Sequence, residues 1–167
     1  MADYEIIEPK VDLRKKIRVL PSSQAGFDPI ERAEQAMKKL SVNFNIWMNE
    51  EVDELQDAWK AIQKDGMSEE TLKSLFCASH DIKGQAQTMG FPIAGNIAGS
   101  LCDLIENVTD RSFLPKELLH KHVQAVAAVV KEDAREEDNA IGKALTQELL
   151  AVSGEVISRF EKNQAEK

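Results

Sequence analysis

Leu72-Lys73-Ser74-Leu75-Phe76-Cys77-Ala78-Ser79-His80-Asp81-Ile82-Lys83-Gly84-Gln85-Ala86-Gln87-Thr88-Met89 is the stretch that decides the fold. Leu72, Leu75, Phe76, Ser79, Ile82, Ala86 and Met89 recur every three or four positions. At about 100° per residue they fill one broad arc, the mark of a helix with one buried face. A strand would instead show alternation at period two with β-branched enrichment, which is nearly absent from the chain. His80 lies about 40° beyond Phe76, Gln87 within about 20° of His80, and Gly84 about 40° further out. These three border the apolar arc, while Asp81, Gln85 and Thr88 point to water. A histidine in that position has its ring steadied by packing and one nitrogen left accessible.

Outward from this stretch the same period continues. Asp28-Pro29 opens a helix, with Asp as cap, Pro in the first turn and Glu31 three positions after the cap. Ala33, Met37, Leu40, Phe44, Trp47, Met48, Val52, Leu55 and Trp59 carry it to roughly 29–64, and Asp65-Gly66 ends it. Ser68 and Thr71 flank Glu69 and Glu70 as the start of the histidine-bearing helix. Gly90 and Pro92 break that helix before the run Ile93, Ile97, Leu101, Leu104, Ile105 and Val108. Asp110 to Ser112 form a loop, and Pro115 starts a helix through Leu118, Leu119, Val123, Val126, Ala127 and Val130. The acidic stretch Glu132–Asp138 reads as a turn or an exposed helical segment. A last series, Ile141, Leu145, Leu149, Val152, Val156 and Phe160, predicts a final helix. Short connections favour antiparallel neighbours. The expectation is an all-α chain: an irregular N-terminal arm over 1–28, a single helical bundle over 29–162, and a frayed tail over 163–167.

Composition narrows the function classes. The 167 residues suffice for one domain with a real core, and 43% apolar content is ordinary for a globular protein. No run of 18 apolar residues exists, and Asp3, Glu5 and Glu8 do not resemble the start of a secretory signal. Two cysteines, Cys77 and Cys102, make no disulfide framework, so the expectation is a soluble cytoplasmic protein with two small buried thiols. The net charge of −8 argues against wrapping nucleic acid or anionic lipid. Arg14, Lys15, Lys16 and Arg18 are a local exception, read as a solvated tail or one docked on its own acidic body.

The chemistry lies at the border of the second helix. A free imidazole titrates near ~6.5, so it is a competent nucleophile around neutral pH, and attack on an activated phosphoryl group gives a phosphoramidate. Phosphoryl transfer asks for in-line positioning and nearby positive charge. Lys83, three positions after His80, can supply that charge. Gln87 can hold a phosphate oxygen or a water, and Gly84 leaves bare backbone for a partner's approach. No GxxxxGK[ST] or GxGxxG element is present, so nothing supports a nucleotide site. The phosphoryl group must come from elsewhere.

The run His80-Asp81-Ile82-Lys83-Gly84-Gln85-Ala86-Gln87-Thr88-Met89-Gly90 resembles the signature of histidine-containing phosphotransfer (HPt) domains, HxxKGxxxxxG. The resemblance covers roughly residues 40–130 and is strongest over 76–106. It implies an antiparallel four-helix bundle, here with an additional helix and the N-terminal arm. His80 would then be the phosphoacceptor, Lys83 the cation beside the phosphate, and Gly84 the small residue that admits a receiver domain. Gly90 would mark the helix end or a close approach, and Phe76, Phe91 and Gly90 would belong to the docking surface. The partners implied are response-regulator receivers, including that of a hybrid histidine kinase, with no nucleic acid and no membrane. The chain would carry the phosphoryl group without ATP-dependent kinase activity. It would need no cofactor of its own, and the Mg2+ would belong to the receiver.

Duller readings compete. A helical adaptor could bind a receiver or kinase domain with the same face and do no chemistry. Cys77 with His80 and Glu117 with His120 have metal-like spacing, yet one ExxH falls short of the paired motifs of a di-iron bundle. Gly95 and Gly99 read as places where helices cross closely, and Trp47 and Trp59 as core or edge aromatics, either of which could line a docking patch.

Overall fold

The computed structural model describes residues 29–135 and 139–166; the arm over 1–28 and residues 136–138 lie outside the described residues. The chain divides into two compact units, residues 1–38 and 39–167. Among the described residues five helices form: α1 Pro29–Asp65, α2 Glu69–Gln85, α3 Pro92–Asn107, α4 Lys116–Lys131 and α5 Ala140–Ala165, with a short 3-10 turn at Arg111–Phe113. Of the first unit only α1's opening turns, from Pro29 to Lys38, are described. No strand occurs among the described residues.

In the second unit the directions of the helices follow from side-chain pairs. Arg111 meets Glu69 and Gly95 lies against Ala86, so α3 runs antiparallel to α2. Trp59 stacks on His120 while Asn45 meets Arg135, so α1 and α4 are antiparallel as well. Ile93 touches Gly142 and Ser100 bonds Ser153, which makes α3 and α5 parallel. Helix α3 is the central element, packed by α2, α4 and α5. Its sequence explains why: Ile93, Ala94, Ile97, Ala98, Leu101 and Leu104 are buried almost all round, with small residues where neighbours come closest. Met48, Leu55 and Ile62 of α1 and Leu75 and Ile82 of α2 join this core, each fully buried and worth roughly 1.5–3 kcal/mol in transfer terms.

Local signals set the ends of α2. Ser68 and Thr71 form a reciprocal capping box: the Thr71 amide donates to Ser68 Oγ at 3.1 Å, and the Ser68 amide donates to Thr71 Oγ1 at 2.9 Å. At the far end regular helix stops at Gln85, yet the Met89 amide still donates to the Gln85 carbonyl. The Phe91 amide then donates to the Ala86 carbonyl and the Gly90 amide to that of Gln87, which is a Schellman closure. Gly90, at φ +85°, occupies the left-handed position this closure requires.

Three expectations need correction. The inward stripe of α5 is Gly142, Thr146, Leu149, Ser153 and Phe160, whereas Ile141 and Val152 face solvent. The reason is close packing on α3: a Cβ on Gly142 would come within 2.7 Å of Ile93 Cδ1, so the smallest residue of the turn faces inward. The segment expected to fray stays helical as far as Ala165. Of the two cysteines, Cys102 is buried, but Cys77 is exposed because it sits about 100° round α2 from Phe76. Trp59 is a core residue, whereas Trp47 keeps 42% of its surface exposed.

Candidate functional site

His80 lies in the body of α2 with 64% of its side chain exposed. The helix holds the ring from two sides. Phe76, one turn back, stacks against it at 5.9 Å between centroids with the planes 30° apart. Asp81 Oδ1 stands 4.0 Å from Nδ1, too long for a hydrogen bond. Nε2 lies on the far side of the ring from Nδ1, and in the tautomer with the proton on Nδ1 it keeps its lone pair.

Gly84 follows one turn later. A Cβ placed there would meet nothing within 4 Å. The helix therefore carries the glycine penalty of ~1 kcal/mol without any packing among the described residues that requires it. Gly95 and Gly99 differ. A Cβ on Gly95 would lie 3.4 Å from Ala86 Cβ, and one on Gly99 would lie 3.6 Å from Lys83 Cε, ordinary contact distances that place both glycines on the side of α3 turned to α2.

Lys83 takes a direction that the sequence did not show. It sits roughly 60° round α2 from His80, on the side facing α3. Its stem lies over Gly99, and its ammonium is 3.4 Å from Asp103 Oδ1. The charge expected beside His80 thus rests on a carboxylate of the next helix. Asp103 is twenty residues away in sequence, and no periodicity within α2 points to it. The same two charges act on the buried Cys102: burial dominates and pushes the thiol up to about 11, Lys83 pulls it down, and Asp103 and Glu106 add to the rise.

Gln87 lines, with Lys83, Asn96, Ser100, Asp103 and Thr146, a polar cleft of about 250 Å³ between α2, α3 and α5. It is seven residues past His80, roughly 10 Å along the helix axis. On the α1 side, Gln85 donates to Glu51 Oε1 at 3.2 Å. Desolvation first, then the charges of Glu54 and Asp81, raise the Glu51 carboxyl above its ordinary range, while the Gln85 bond opposes them.

The docking residues divide. Phe76 is half-buried and walls an apolar groove of about 440 Å³ with Leu72, Ile105, Val108 and Leu114, its charged lining mixed, with Glu69 and Glu106 beside Lys73 and Arg111. Phe91 corrects an expectation: it is 1% exposed and offers no surface to a partner. Following the Schellman glycine, its ring turns inward, and the Arg135 guanidinium covers it at 4.4 Å. Gly90 lies beneath the same arginine, whose Nη1 would be 3.0 Å from a Cβ there. Arg135 also donates to the Met89 carbonyl and to Asn45 Oδ1, tying α1, the α2–α3 turn and the end of α4 together.

Beyond this face, His122 is fully buried on α4. Its Nδ1 bonds the Leu118 carbonyl at 2.8 Å, and Nε2 meets Ser100 Oγ and Ser153 Oγ at 3.1 and 3.2 Å. Burial lowers its pKa, and the Leu118 bond partly opposes this. A neutral ring with Nδ1–H donating and Nε2 accepting satisfies every polar atom in the cluster. No group of three or more His, Cys, Asp or Glu residues suited to a metal ion occurs among the described residues. No helix among them is long and apolar enough to cross a membrane.

The chain matches the Hpt domain family over residues 39–155, more than half its length. No curated protein and no solved structure gives a significant match.

Proposed function

Because this chain belongs to the Hpt domain family, whose members relay phosphoryl groups between receiver domains as carriers and not as ATP-dependent kinases, we propose that His80 is its phosphoacceptor. The observation that carries the assignment is the pairing of an exposed imidazole on a rigid helix with open space over Gly84 one turn away. A nucleophile must be reached in line by a phosphoryl group still attached to a folded protein. A helix face whose next turn carries no side chain allows that approach.

In the forward step the Nε2 lone pair attacks the phosphorus of a receiver's aspartyl phosphate. The P–O bond to the aspartate breaks, its carboxylate leaves, and a P–Nε2 bond forms. Positive charge gathers on the imidazole, where Asp81 beside Nδ1 stabilises it. Lys83 meets the phosphoryl oxygens after leaving Asp103. Phosphoryl transfer is largely a matter of positioning and charge, so these groups suffice once the receiver brings its own Mg2+. The groove beside Phe76 gives an apolar contact for the receiver, which an acidic face needs when its partner's site is also acidic. Gln87, at its distance from His80, is assigned to the cleft wall instead of the phosphate. The partners that fit are receiver domains of response regulators and of hybrid histidine kinases.

The test is transfer from a phosphorylated receiver. Wild-type protein should acquire a base-stable, acid-labile phosphate, and His80→Gln should acquire none while keeping its helical circular dichroism. Label on His80→Gln at wild-type levels would refute the assignment. Receiver binding without any label on the wild type would leave the adaptor reading in its place.

A further inference from the structure

We infer that Asp103 is a positioning residue for the phosphotransfer: it holds the Lys83 ammonium off His80 while the imidazole is bare and yields it when the phosphoryl group arrives. The inference rests on His80 as acceptor.

Three observations carry it. The Lys83 stem is laid across Gly99 toward α3, and its ammonium rests 3.4 Å from Asp103 Oδ1. Both side chains are about half exposed, at 47% and 55%, so the pair is solvent-screened and readily exchanged. Finally, Lys83 is three residues after His80 on one helix, and side chains so spaced have Cβ atoms about 5–6 Å apart. The ammonium can therefore swing back to an atom bonded to the ring.

The surrounding charges make the exchange favourable. Asp81 stands beside the ring, Glu51 of α1 approaches Asp81 with Glu54 next to it, and Glu106 lies one turn beyond Asp103 on α3. A phosphoryl group carrying about −1.5 to −2 charges entering this acidic face needs a cation. It outcompetes a carboxylate of charge −1 for Lys83, yet that carboxylate must first be left behind. Asp103 thus sets how readily phosphohistidine forms.

Phosphoramidate tests this on the full chain without any receiver. Its P–N bond breaks, ammonia leaves, and a P–Nε2 bond forms on His80, so no other reactant is needed. At low ionic strength Asp103→Asn should label roughly two- to fivefold faster than wild type, the range open to one exposed charge pair. The ionisation of the bound phosphoryl group, followed by its 31P shift, should move to lower pH. Both effects should vanish in the Lys83→Ala background and shrink in 1 M salt. A merely structural role for Asp103 would not depend on Lys83. Equal labelling by wild type and Asp103→Asn overturns the inference, as does the same acceleration in the Lys83→Ala background. Wild type that never labels, or His80→Gln that labels equally, refutes the acceptor assignment and the inference with it. Normal His80 labelling that ignores Asp103 refutes the inference alone.

Discussion

Replacing Gly84 with alanine should raise stability and lower phosphotransfer from a receiver together. The position is inside a helical stretch whose amide ladder continues past it through Ala86 and Met89. A methyl group there meets nothing within 4 Å, so no clash offsets the gain in helix propensity. Glycine to alanine in a helix interior is worth about 0.8–1 kcal/mol, part of it from the lower entropy of the unfolded chain. For a chain of this size that raises the melting temperature by about 2–4 °C, measurable by circular dichroism. The same methyl stands one turn from His80 on the face a receiver must cover. Transfer from a phosphorylated receiver should fall at least several-fold, and Gly84→Gln should fall further. Labelling by phosphoramidate should drop less, because a small donor needs less clearance. A melting temperature that falls, or receiver transfer that stays at the wild-type rate even in Gly84→Gln, would show that Gly84 does not keep the face open for a partner.

Other perturbations probe what holds the site in place. Gly90→Ala puts a side chain at φ +85° and within 3.0 Å of Arg135 Nη1, and should cost about 1–2 kcal/mol in urea unfolding. Arg135→Ala removes the cation over Phe91 and the bonds to Met89 and Asn45; a loss of about 1–2 kcal/mol is expected, with faster amide exchange at the α2–α3 turn. Leu101→Ala, at a fully buried position on the central helix, should cost about 2–5 kcal/mol. His122 has a folded-state pKa below its unfolded value, so the unfolded chain takes up more protons as pH falls through about 6.5. Stability should therefore decline below that pH until the buried ring itself protonates. Comparing unfolding midpoints at pH 7.5 and 5 for wild type and His122→Gln isolates this contribution, which should be absent from the variant.

Much of the helical layout is legible in the sequence because it rests on local signals. Pro29, the Ser68/Thr71 box, Gly90 and Pro92 each act within a few residues, and the structure begins α1 at Pro29 and α2 at Glu69. His80 and Gly84 are readable as border positions of an amphipathic helix for the same reason. The misses share another cause. Phe91 reads from the sequence as a docking residue, but the left-handed turn at Gly90 swings its ring into the core under Arg135, forty-four residues on. Ile141 and Val152 fit an apolar stripe as well as their neighbours do. The choice between registers reflects Ile93, whose Cδ1 would lie 2.7 Å from a Cβ at position 142 and would have to move to admit one.

The chain by itself determined which segments are helical, where α1 and α2 start, and which side of α2 carries the imidazole, because capping, periodicity and glycine punctuation act over one or two turns. It also bears the Hpt match over residues 39–155. Tertiary packing alone decided where the Lys83 ammonium rests, that Asp103 receives it, and that His122 sits neutral between two serines. Those contacts join residues twenty or more positions apart, and their energies depend on how closely α3 lies against its neighbours. Helical periodicity fixes the direction in which a side chain leaves its own helix; the group that meets it belongs to another.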